Sequence, residues 1–201
     1  MGIITSEVNP LMVATLEQSQ LQAIATKLAD MKALQQQIVA NEEKLIAATS
    51  GDKNIRDRLQ SMLEDDRENL NTIDQVVNNF SVQSQPNGTV QALIESVEGI
   101  MAGNELTLYQ KALQHEGLKH QIVMTGLTLH KASQVVGDDF QKTIDPLYQV
   151  NFKNRAHQEQ LKSVVTVLGT RELTGKNPDD SIWAQSEDAI AAVRGLFKGL
   201  S

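Results

Sequence analysis

From Leu11 to Ala48 the chain runs without a proline or a glycine, and its apolar residues return every third or fourth position. A period near that of the α-helix, held over such a length, admits a long amphipathic helix and little else. The inward stripe reads Ala14, Leu21, Ile24, Leu28, Met31, Ile38 and Leu45. Thr49-Ser50-Gly51-Asp52 then breaks it, with Gly51 suited to a helix end and Asp52 to capping the next helix. One such helix cannot bury its stripe alone, so its neighbours decide the fold class.

A second helix is predicted to about Phe80, with Leu59, Met62, Ile73 and Val76 inward. The short loop before it makes the two helices antiparallel neighbours. SVQSQPNG, residues 81–88, reads as a linker, and Asn87-Gly88-Thr89 at its end reads as a turn. Residues 89–101 read as a short amphipathic helix carrying Val90, Leu93, Ile94, Val97 and Ile100. A third long helix is predicted from about Glu105 to Val136. Gly137-Asp138-Asp139 turns the chain, and a fourth runs to about Leu168 with a kink at Pro146.

Two long hairpins joined by a bridge with its own helix predict an all-α, ferritin-like four-helix bundle with one crossover connection. That bundle spans residues 1–168. Residues 169–201 are expected to form a polar loop and a C-terminal amphipathic helix, with Ile190, Val193, Leu196, Phe197 and Leu200 on one face. This face is expected to pack on the bundle or on a second subunit.

Composition bounds the partners. Aromatic residues are only 3%, which argues against stacking platforms for bases. The net charge is −7 and the basic residues are scattered, so no basic stripe offers itself to nucleic acid. The absence of cysteine excludes disulfides and thiolate metal sites. The N-terminus has no basic segment ahead of its apolar residues and carries Glu7, unlike a secretory signal. Gly2 and Ser6 fit the loose myristoylation pattern, which is short enough to match by chance. No apolar run approaches the ~20 residues that span a bilayer. A cytoplasmic protein is expected, with no membrane span and no nucleic-acid partner.

Chemistry is sought where polar residues fall on inward stripes. On the second helix Leu59, Met62, Asp66, Asn69, Ile73 and Val76 alternate steps of three and four. On the third the stripe is read as Leu106, Tyr109, Leu113, Glu116, His120, Val123 and Leu127, with His115 beside it. On the fourth Ile144, Leu147, Val150, Asn154, His157, Leu161, Val164 and Leu168 line up. Counting from the turns sets Asp66 opposite Gln35, and His157 opposite Glu116 and His120. Such groups must pair with each other, with water or with a metal.

A di-metal site in this kind of bundle takes a Glu from each of two helices and a Glu-x-x-His pair from each of the other two. Here the paired positions read Asp66-x-x-Asn69 and Asn154-x-x-His157, and the single positions Gln35 and Glu116. Two carboxylates stand where four would balance two divalent ions. The expectation is therefore a metal-free polar layer of Gln35, Asn69 and Asn154 with the remaining ionisable groups. The alternative is a single iron, zinc or manganese ion held by Glu116, His120, His157 and Asp66.

The run LEDDRENLNTIDQVV, residues 63–77, resembles the second-helix signature of the YciE/YciF-type ferritin-like proteins. KHQIVMTGLTLHKASQVVG, residues 119–137, is similar to that family's Glu-His-Tyr-Glu helix, with His120 on the family histidine. VNFKNRAHQEQL, residues 150–161, sits at its Glu-rich fourth helix. Lys119 and Ile122 stand where the family has carboxylates, Asn154 replaces an acid, and Met62 replaces a histidine. The resemblance implies a ferritin-like fold, a homodimer and a stress-response setting. Together with the depleted acids it implies a non-catalytic structural or interaction module. The alternative is a metal-binding or oxidase-type protein using Glu116, His120 and His157.

Overall fold

The computed structural model describes residues 16–198. Among them are seven helices and no strand: α1 (Gln18–Ala48), α2 (Lys53–Asn79), α3 (Gly88–Ala102), α4 (Leu108–Val136), α5 (Asp138–Ile144), α6 (Pro146–Thr174) and α7 (Ser181–Lys198). The chain is an all-α helical bundle. The expected helix start at Leu11, Ala14 of the first stripe and the Gly2–Ser6 pattern lie outside the described residues, as does Leu200.

The four long helices pack as a square in which every side is antiparallel. α1 turns into α2 through a loop capped by Asp52, whose carboxylate accepts from the Ile55 amide at 3.1 Å. His115, early in α4, faces Glu42, late in α1, so these two run in opposite directions. Tyr109 at the start of α4 meets Gly169 near the end of α6, and Gly126 meets Asn151 near its beginning. α2 and α4 therefore lie diagonally and run parallel, which requires a connection along the bundle. The α3 segment supplies it. It begins where the Asn87 amide donates to Asp30 at 2.6 Å, and it ends where Lys111 reaches the Gly103 carbonyl at 2.6 Å.

The core is aliphatic: Leu28, Met31, Leu34, Ile38 and Leu45 from α1 meet Ile55, Leu59, Met62 and Ile73 from α2. Leu118, Ile122 and Leu129 from α4 and Leu161, Val164 and Val167 from α6 close it.

Helix ends depart from the sequence expectation for identifiable reasons. α4 starts later than Glu105 because Thr107 builds a capping box with Gln110. The expected kink at Pro146 is a boundary between α5 and α6, since proline has no N–H to continue the ladder. α6 passes through Gly169 and ends only at Gly175, which adopts a left-handed φ of 70°. The expected boundary at 168 therefore falls inside a helix.

α7 lies on α6. The Ser163 hydroxyl donates to the Ile182 carbonyl at 3.0 Å, the Arg58 guanidinium stacks 4.6 Å from the Trp183 ring centre, and Ile190 and Val193 are buried. Those two residues find their cover within the chain.

Candidate functional site

Halfway along the bundle the aliphatic core gives way to ionisable groups from all four long helices. α1 contributes Gln35 and Glu42, α2 Asp66 and Asn69, α4 His115 and Lys119, and α6 Asn154 and His157. None is more than 3% exposed. The Lys119 ammonium sits at the centre. It bonds the Asp66 carboxylate and lies 3.0 Å from His157 Nδ1, 3.2 Å from Asn154 Oδ1 and 3.4 Å from Glu42 Oε1.

Amides complete the layer. Gln35 Nε2 donates to Asp66 Oδ1 at 2.8 Å, and Asn69 Nδ2 donates to the same oxygen at 3.2 Å. Asn154 Nδ2 donates to Gln35 Oε1 at 3.1 Å. Asp66 and the three amides thereby recover partners that burial would otherwise take away.

Protonation follows from position. Burial would raise Asp66, but Lys119 and then His157 outweigh it and hold the carboxyl well below its ordinary value. Burial raises Glu42 well above the usual range despite Lys119, and the Asp66 charge adds to the rise. Burial, with Lys119 next, lowers His115 to about 3, so this imidazole is neutral. Burial and Lys119 push His157 down, yet its bonds to Asp65 and Asp66 leave it raised overall.

His157 also links the layer to the surface. Its Nε2 lies 3.3 Å from Asp65 Oδ2, and Lys153 bridges Asp65 at 2.7 Å and Glu68 at 2.8 Å. The His157 bond, aided by Lys153, lowers Asp65 to about 2.

The structure thus gathers Gln35, Asp66, Asn69, Asn154 and His157 into one layer. Glu116 and His120 are elsewhere. Glu116 is half-buried and His120 exposed, and Gln158 Nε2 lies 3.2 Å from Glu116 Oε1 and 3.3 Å from His120 Nδ1. The inward stripe of α4 runs instead through Ala112, His115, Leu118, Lys119, Ile122 and Leu129. Both stripes carry apolar residues at helical spacing, and a lysine ordinarily marks the solvent side. Here the lysine is the buried member. Glu42 was legible, since steps of four and three from Ile38 to Leu45 land on it.

A metal ion at this layer does not fit these residues. An ammonium occupies the point where the donors converge, and two of the four expected ligands lie outside. With Lys119 in place and the side chains arranged as they are, no group of three or more His, Asp and Glu side chains among the described residues is placed to hold an ion.

No family model matches the chain, and no solved structure matches it. A DNA nickase from Nostoc sp. strain PCC 7120 is 47% identical over 184 residues. The match covers 92% of this chain and 52% of that protein, so the chain spans about half the length of the curated relative it matches.

This similarity corrects two expectations. A non-catalytic, stress-associated module, with a metal-binding or oxidase-type bundle as its alternative, does not agree with a relative that nicks DNA. Nor does the exclusion of nucleic acid. That exclusion rested on net charge, which reports the average over the whole surface and not what one part of it or a further segment contacts. As expected, no described helix is long and apolar enough to cross a membrane.

Proposed function

We propose that this chain is a module of a DNA-nicking protein and takes part in cutting one strand of duplex DNA. The carrying observation is the 47% identity to a DNA nickase over 92% of the chain. Identity at that level, over a match that takes in nearly the whole chain, supports a shared bundle with a shared task. The buried layer is closed to solvent, so its part is to hold four helices in one register. DNA would meet the outer faces. A cytoplasmic setting follows from such a substrate.

Strand cleavage needs a nucleophile, a group that protonates the leaving oxygen and a cation near the phosphate. Where the layer reaches solvent, Asp65 and Lys153 are the groups presented, with His157 positioned behind Asp65. We keep the ferritin-like kinship as a proposal about architecture alone. It is supported by two antiparallel hairpins joined by a crossover.

The test is a segment exchange. The matching 184 residues of the Nostoc nickase are replaced by this chain, and supercoiled plasmid is followed to its open circular form. Retained nicking is expected. A folded chimera that leaves the plasmid supercoiled removes the proposal.

A further inference from the structure

The α4 stripe carries a lysine that the bundle has no ordinary reason to bury. Lysine has four methylenes with which to reach solvent, and the usual outcome is a snorkelling head group. Lys119 does not take it: its side chain is fully buried, and acceptors from α1, α2 and α6 stand around its nitrogen. Three helices therefore present oxygen and nitrogen lone pairs to one point, and the fourth delivers a positive charge there.

We propose that Lys119 is the resident cation of this bundle. Its ammonium fills the position among Glu42, Asp66, His157 and Asn154 that a divalent metal ion would otherwise take, and removing the lysine side chain opens a divalent-cation site at that point.

The donor chemistry supports this. Carboxylate and imidazole groups together suit zinc, manganese or iron. His115, 3.3 Å from Glu42 Oε1, adds a second imidazole at the edge of the set. The amides hold the acceptors in place: Gln35 and Asn69 both fix Asp66 Oδ1, which leaves Oδ2 directed at the ammonium. What is absent for an ion is room and charge balance, and one side chain accounts for both. An ammonium supplies three N–H donors and one positive charge, and it cannot be lost by dilution or chelation. The layer is then permanently filled, and the fold does not depend on metal supply. This inference concerns the bundle interior and stands or falls separately from DNA nicking.

The experiment has two arms. In the first, the wild-type chain is treated with acetic anhydride at mild alkaline pH, and modification is mapped by mass spectrometry. Lys53, with 81% of its side chain exposed, is expected to react fully while Lys119 stays unmodified. In the second, metal-stripped Lys119→Ala is titrated with Zn²⁺ or Mn²⁺. About one ion per chain is expected, with recovery of the melting temperature lost on substitution. The wild type should show no shift with the same ions. Lys119→Ala/Asp66→Asn should bind none at this site, which separates it from adventitious surface histidines.

A folded Lys119→Ala chain that takes up no ion overturns the proposal, whatever its melting temperature. So does a wild type stabilised by the ion to the same extent. Should Lys119→Ala fail to fold with and without ions, the first arm decides. Acetylation of native Lys119 at the rate of Lys53 refutes an internal cation.

Discussion

At the scale of the residue, the interior of this protein is governed by charges that cannot leave. Asp66 receives the ammonium of Lys119 and the amides of Gln35 and Asn69, so neutralising it leaves a buried cation without its counter-charge. Asp66→Asn is expected to cost about 3–5 kcal/mol, measured by urea denaturation with an unchanged m-value. His115 sets an acid limb. Its pKa is near 6.5 unfolded and about 3 in the fold, so between those values the unfolded chain binds the extra proton. Its contribution is complete above the unfolded value and is lost as pH falls, at about 1.4 kcal/mol per pH unit. The difference between the stability curves of wild type and His115→Gln should carry that slope on the acid side and flatten above neutrality. A flat difference throughout would place His115 in water. His157 runs the other way: its raised pKa gives stability present below the unfolded value and lost as pH rises through the folded one.

At the scale of the element, two glycines of α6 and its end do different work. Gly175 has φ of 70°, a conformation that side chains disfavour, and it stops the helix. Gly169 is an ordinary helical residue whose missing Cβ admits the Tyr109 ring. A methyl there would lie 2.9 Å from Tyr109 Cε2. The helix expected to end at about Leu168 passes through Gly169 and stops at Gly175. Gly169→Ala gains helix propensity of about 1 kcal/mol yet forces the ring aside, so a net loss of about 1–2 kcal/mol is expected in thermal melts. A stabilised variant would show that Tyr109 yields freely. The stripes of α2 and α6 were readable because apolar residues flank the polar pair on each of them. The stripe of α4 was not. There two adjacent registers compete, and the usual cost of burying lysine favours the incorrect one until three other helices supply its partners.

At the scale of the whole molecule, α7 is tied to the bundle by one face and a few polar contacts, while the long helices share a common core. The chain has a single tryptophan, Trp183, and it reports this docking. Fluorescence should change at lower urea than the helical circular dichroism signal, because segments with few buried contacts open first. Arg58→Ala should move the fluorescence midpoint further down and leave the main transition in place. Coincident transitions in both proteins would make α7 part of the cooperative core. Charge at this scale also bears on the proposed role. The excess of 25 acidic over 18 basic residues is an average over the surface, so phosphate contacts would be made by local basic side chains that release counterions. Any DNA retention by the isolated chain is therefore expected to fall between low and moderate salt, read by mobility shift.

Helical period and breaker residues by themselves determined that this chain forms long helices, where most of them turn, and that two hairpins need a crossover. These are local properties, set by each residue and its neighbours within a few positions. Which face of α4 turns inward, that Glu42 and His115 join the layer, and that a lysine fills its centre were decided only by tertiary structure. The physical reason is that the cost of burying a charge is not a property of the residue that bears it. It depends on the groups that meet it, and here those come from helices far apart in sequence.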